Sequence, residues 1–217
     1  MSTKVTKIPK WMDRSLQGIT YWIGHRRALY SGYALGEAAL VAELCNMIYT
    51  HLDRDQVLRC EVRFEELLNK EATETGILTS RARADIVVSR KLEGRRRDPQ
   101  PGFVVEVKRA SASNAQIDHD LRRLAAVKAC HPDLAAFLVV IAEAERPRRF
   151  VDEEGAARAT VFRVPDTDHL YKVRRVSKAT HSFKRMDRAQ YACLLEVSPA
   201  MDAKRLRSAK VWTSAAS

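Results

Sequence analysis

Phe103-Val104-Val105-Glu106-Val107-Lys108 is a short apolar run broken by one carboxylate and one ammonium two positions apart. A second run, Ala84-Asp85-Ile86-Val87-Val88, carries a carboxylate near its start. Residues i and i+2 of a strand share a face. Glu106 and Lys108 therefore point together, while Phe103, Val105 and Val107 line the opposite face. Runs this apolar belong in the middle of a sheet, where an uncompensated ionised group costs several kcal/mol. Three charges on two such strands call for a common explanation. A divalent cation with a lysine beside it supplies one. Ion pairing of Glu106 and Lys108 with each other or across the sheet, with Asp85 on a solvated edge, supplies another.

Upstream, Gly36 to Leu52 reads as an amphipathic helix on the spacing of Leu40, Val41, Leu44, Met47, Ile48 and Leu52. At about 100° per residue, Glu37 falls in the middle of that apolar stripe and Glu43 at its edge. A first-turn glutamate also complements the helix dipole. Val57 to Leu68 alternates, with Leu58, Cys60, Val62 and Phe64 expected inward and Arg59, Glu61, Arg63 and Glu65 outward. A polar loop, Asn69 to Ser80, leads to the Asp85 strand. A basic connection, Arg90 to Gly102, leads to the Glu106 strand.

Downstream, Ser113 to Lys128 has helical spacing at Ile117, Leu121, Leu124 and Val127, and Ser113-x-x-Gln116 fits a capping box. Ala135 to Ala142 reads as a buried, parallel strand. Ala159–Val164 and Tyr171–Val176 read as strands, whereas Met186 to Val197 fits helix or strand equally. The order helix, strand, strand, strand, helix, strand predicts an α/β fold, a mixed central sheet with helices on both faces. Residues 1–34 are expected to form an aromatic, basic helical arm (Trp11, Tyr21, Trp22, Tyr30) packing on the body or on a second subunit. Residues 35–145 form the core, and 146–217 a basic extension packed on the same domain.

Asp85 followed by Glu106-Val107-Lys108 on consecutive strands, behind a helix bearing Glu37, resembles the PD-(D/E)XK nuclease superfamily. The resemblance spans about Leu35 to Ala142 and departs from the pattern where Ala84 replaces the leading proline. It implies a restriction-endonuclease-like αβββαβ core and a hydrolase that cuts DNA phosphodiester bonds. It implies Mg²⁺, with Mn²⁺ able to substitute, held by Asp85, Glu106 and the Val107 carbonyl. Glu37 would reach the metal or its water, and Lys108 would orient or deprotonate the attacking water. Gln116 would touch the nucleophile or a phosphate, although its role as capping-box partner of Ser113 is an equal alternative. The family's habit of cutting two strands together implies a homodimer or larger assembly.

The charge pattern points the same way. The chain of 217 residues carries a net charge of +11 and a pI near 9.7, which favours a polyanionic partner. Residues 146–217 hold sixteen Lys/Arg against eight Asp/Glu, so most of the excess lies there. Arg95, Arg96, Arg97, Arg109, Arg122, Arg123, Arg174 and Arg175 are the candidate contacts to a nucleic-acid backbone, with double-stranded DNA the expected partner. Such contacts give sequence-independent, salt-sensitive affinity.

Other chemistries find no support. Cys45, Cys60, Cys130 and Cys193 are scattered without a C-x-x-C pair and read as reduced core thiols. Met1 to Lys10 lacks the apolar region of a secretory signal and no run is long enough to span a membrane, so the expectation is a cytoplasmic protein. The six histidines show no metal-ligand spacing, and Asp118, His119 and Asp120 read as solvated neighbours. Walker, G-x-S-x-G and G-x-G-x-x-G motifs are absent from the sequence. Two rival functions stay open: an RNA-cutting enzyme with the same site, and a non-catalytic nucleic-acid-binding subunit.

Overall fold

The computed structural model describes residues 7–29, 34–68, 77–79, 81–91, 99–179, 189–200 and 209–212. The elements in chain order are α1 (Lys10–Leu29), α2 (Glu37–Tyr49), β1 (Gln56–Arg63), the single turn α3 (Phe64–Leu67), β2 (Arg83–Arg90) and β3 (Gln100–Arg109). They continue with α4 (Asn114–Cys130), β4 (Ala135–Ala142), β5 (Val161–Arg163), β6 (Leu170–Ala179) and β7 (Gln190–Val197). Among the described residues seven strands form one sheet in the order β1-β2-β3-β4-β7-β6-β5. Of these neighbours β3 and β4 run parallel, and the other pairs are antiparallel. The α/β class and mixed sheet expected from the sequence are therefore present.

Strand β4 is buried at all eight positions because helices cover the sheet on both sides, which removes the polar alternation of a one-sided strand. On one side α4 lays Ile117, Leu121, Leu124 and Val127 against Val104, Ala136, Leu138 and Val140. On the other, α1 and α2 contribute Trp11, Met12, Leu16, Ile19, Ile23, Leu40, Leu44 and Ile48 against Val105, Val107, Phe137 and Val139. The N-terminal arm thus packs on the body of its own chain. Its buried hydroxyls are satisfied locally: Ser15 Oγ donates to the Trp11 carbonyl at 2.7 Å and Thr20 Oγ1 to the Gln17 carbonyl at 2.8 Å. Among the described residues no helix is long and apolar enough to cross a membrane.

Two sequence expectations change, and one segment open between helix and strand is decided. The alternation from Val57 to Leu68 does not persist as one strand: β1 ends at Arg63 and the chain coils into α3. Its inward set also divides between two faces. Val62 and Phe64 join the α4-side core, Leu58 packs on the α2 side, and Cys60 is exposed. The exchange occurs at Glu61, which adopts φ 53°, a left-handed conformation costly for a side chain with a Cβ. Finally, the ambiguous segment ending at Val197 holds a strand, β7, fully buried between β4 and β6.

Candidate functional site

Asp85 sits where β2 and β3 part. Their ladder runs from Arg90 opposite Gln100 to Ile86 opposite Val105 and stops there. One step further, the Val107 N–H donates to Asp85 Oδ2 at 2.7 Å, so a carboxylate closes the rung in place of a carbonyl. On the other flank, β1 pairs with β2 at Cys60–Ile86 and Val62–Ala84 but not at Glu61–Asp85. The ladder irregularities on both sides of β2 therefore meet at one residue. Burial pushes the Asp85 carboxyl up to about 6. The Val107 hydrogen bond and the Lys108 charge oppose the rise, while Asp120 and Glu37 add to it.

Glu106 shares the α4 face of β3 with Val104 and is 1% exposed. Burial raises its pKa well above the usual carboxylate value, and the neighbouring Asp85 charge raises it further against the pull of Arg123. The Arg123 guanidinium lies 3.3 Å from Glu106 Oε1 and 3.5 Å from Asp120 Oδ1, stacked over the Phe64 ring at 4.9 Å. Two residues along β3, Lys108 Nζ donates to Glu37 Oε1 at 2.8 Å and stands 3.2 Å from Asp120 Oδ2. Burial alone would lower the Lys108 pKa, but Glu37 and Asp120 outweigh it and the ammonium is stabilised. Four acids from β2, β3, α2 and α4 thus surround two cations.

Asp120 is the residue the sequence reading missed. It is 3% exposed, not solvated. The signal was present, because it lies three residues after Ile117 and four before Leu124, both buried against the sheet. Asp118 is likewise engaged, with Arg149.

Glu106 Oε1 and Asp120 Oδ2 are buried and lack a hydrogen bond, although each has a cation within 3.3 Å. Oxygen donors are what Mg²⁺ takes, usually one or two carboxylates completed by water and substrate phosphate. Asp85 and Glu106 fit that requirement in kind and number. Among the described residues, however, no three His, Cys, Asp or Glu side chains are arranged to enclose an ion. Lys108 and Arg123 stand between the carboxylates instead.

The remaining candidates fall in several places. Val107 buries its side chain on the α1/α2 side and offers the site only its backbone. Gln116 is exposed and forms the capping box: the Ser113 N–H donates to its Oε1 at 3.0 Å, and its own N–H donates to Ser113 Oγ at 3.2 Å. Glu43 lies two turns from Glu37 and is half-buried. Arg123 belongs to the acidic cluster. Arg122 pairs with Asp166 at 2.8 Å on the surface, Arg175 with Asp13 at 2.8 Å, and Arg174 with Glu196. Arg95, Arg96 and Arg97 lie outside the described residues.

Arg109 pairs with Glu143 at 3.0 Å and opens onto a cleft of about 530 Å³ beyond the carboxyl ends of β3 and β4. Arg27, Arg146, Arg148 and Arg149 complete its basic lining, against Glu143 and Glu145. The carboxyl ends of parallel strands are the usual place for ligands on α/β sheets. This cleft adjoins Lys108 along β3, one residue away. No family model, no curated protein and no solved structure matches the chain.

Proposed function

We propose that this chain is a Mg²⁺-dependent nuclease of the PD-(D/E)XK type that hydrolyses DNA phosphodiester bonds. One observation carries the reading. Asp85, Glu106 and Lys108, from adjacent strands, meet in a largely buried cluster that also receives Glu37 from the preceding helix. The order α2-β1-α3-β2-β3-α4-β4, with β4 parallel to β3, supports the reading, since apart from the single turn α3 it follows the αβββαβ order that the resemblance implies. The arginine-lined cleft supplies a backbone-binding surface next to it.

In this reading Asp85 and Glu106 hold the metal, and the Val107 carbonyl faces the same gap as its N–H, since both groups of a strand residue point to one side. The metal, when bound, lowers the pKa of its water and offsets charge on the phosphoryl oxygens and the leaving 3′ oxygen. Lys108, held by Glu37 and Asp120, donates to the attacking water or to a phosphate oxygen. For Glu106 to hold the metal, Arg123 would give up its place 3.3 Å from Glu106 and keep its contact with Asp120. Arg109 and the cleft arginines fix the flanking backbone without reading sequence.

A non-catalytic nucleic-acid-binding role is favoured by a different observation: the acids already have cations as neighbours, and among the described residues no three-ligand group is assembled. Labelled DNA and RNA incubated with Mg²⁺ or with EDTA separate the readings. Metal-dependent cutting of DNA supports the nuclease. Cutting of RNA alone replaces the substrate, and tight binding without cutting supports the scaffold. Asp85→Ala, Glu106→Ala and Lys108→Ala should each abolish cutting while leaving binding intact. Wild-type rates in all three folded variants overturn the site.

A further inference from the structure

Cys45 and Cys60 are 15 residues apart, on α2 and β1, and their Sγ atoms stand 3.2 Å from each other. Both are free thiols. Cys45 is buried in the apolar stripe of α2 beside Leu44 and Ile48, whereas Cys60 is exposed on β1, at one end of the sheet order. A disulfide needs a sulfur separation of about 2.05 Å, so closing this pair requires a movement of about an ångström.

We propose that Cys45 and Cys60 form a redox pair, in which exposed Cys60 is attacked first by a hydroperoxide and buried Cys45 resolves it to a disulfide joining α2 to β1. The exposure difference sets the order. In the first step the Cys60 thiolate attacks an oxygen of hydrogen peroxide. A sulfur–oxygen bond forms, the oxygen–oxygen bond breaks, and hydroxide leaves as water after taking a proton. In the second, Cys45 sulfur attacks the Cys60 sulfenic sulfur. The sulfur–sulfur bond forms, the sulfur–oxygen bond breaks, and hydroxide departs with the Cys45 proton as a second water. Two thiols and one peroxide give one disulfide and two waters, with two electrons passing from sulfur to oxygen.

Three further features fit this division of labour. Burial and the neighbouring Cys60 raise the Cys45 thiol above its ordinary pKa, which protects it from oxidation on its own account. Cys130 and Cys193 have no thiol neighbour among the described residues and remain as unpaired controls. The link would also join two elements that frame the acidic cluster, since α2 begins with Glu37 and β1 pairs with the Asp85 strand. The proposal does not depend on the nuclease reading.

The test uses the reduced full chain, treated with a small excess of hydrogen peroxide, then unfolded and labelled with N-ethylmaleimide. The reduced protein should take four labels, one per cysteine. The oxidised protein should take two, weigh less by two hydrogens before labelling, and yield a crosslinked peptide containing Cys45 and Cys60. Constraining this loop in the unfolded chain also predicts a melting temperature higher by roughly 5–10 °C, reversed by dithiothreitol. Cys45→Ser should stop the reaction at a dimedone-reactive sulfenic acid on Cys60, and Cys60→Ser should leave Cys45 unoxidised. Four labels after peroxide, or oxygen on Cys60 of the wild type without a link to Cys45, overturns the proposal.

Discussion

The backbone N–H of Val107 donates to Asp85 Oδ2 at 2.7 Å, so a side chain holds the rung that a β2 carbonyl would otherwise occupy. This single contact both ends the β2–β3 ladder and fixes a carboxylate in a place where burial disfavours its charge.

Asp85 should therefore cost stability at neutral pH. Its folded pKa of about 6 exceeds the ordinary value near 3.9, so the folded state binds its proton more tightly than the unfolded chain. The penalty appears as pH rises from about 4 to about 6 and is fully present above that range. Asp85→Asn keeps an acceptor for Val107 and removes the charge. We expect it to be more stable than wild type at pH 7.5 by on the order of 1–3 kcal/mol, with the difference gone near pH 4. Urea unfolding across that range measures it, and a variant less stable at pH 7.5 contradicts the burial account.

Metal binding should compete with the same protons. Mg²⁺ is expected to raise the melting temperature at pH 8 and to do so less at pH 5.5, because the ligands must be deprotonated. At a hundredfold excess over Kd the gain is about 2.7 kcal/mol. Glu106→Gln should abolish the shift. Thermal scans with and without the ion decide the matter, and an unchanged midpoint at saturating magnesium in the wild type counts against these ligands.

Lys108 and Glu37 should act together in cleavage. Lys108→Met is expected to slow single-turnover cutting by roughly 10²–10⁴-fold with DNA affinity retained. Glu37→Gln should lose more activity than Glu43→Gln, because Glu37 accepts from the Lys108 ammonium at 2.8 Å. Equal losses for the two glutamine variants would remove Glu37 from the site.

Gln116→Ala separates structure from chemistry. Its side chain completes the α4 cap, so its loss should cost about 0.5–1 kcal/mol of stability with cleavage unchanged. A selective fall in rate at equal folded fraction would return Gln116 to the reacting centre.

Periodicity made the core legible. Strand β4 has the predicted bounds, α2 and α4 differ from expectation only near their ends, and Glu37, Asp85, Glu106 and Lys108 fall in one cluster. What was hidden depends on tertiary context. Asp120 was read by its immediate neighbours instead of by its helical row, where Ile117 and Leu124 place it against the sheet. The face exchange at Glu61 comes from a backbone conformation no propensity predicts for glutamate. Arg122, Arg174 and Arg175 look alike as basic clusters, yet each already has a carboxylate beside it, a pairing invisible until the chain is folded.

Strand β7 lies inside the sheet, between β4 and β6, although it is the last of the described strands in chain order. Until it docks, β4 presents eight apolar residues along an open edge, and the β5–β6 hairpin has nothing to join. Open edges of that kind invite pairing with other chains, and late, non-local pairing is slow. A truncation before Gln190 should therefore give an aggregating polypeptide that depends on chaperones, not a smaller working domain.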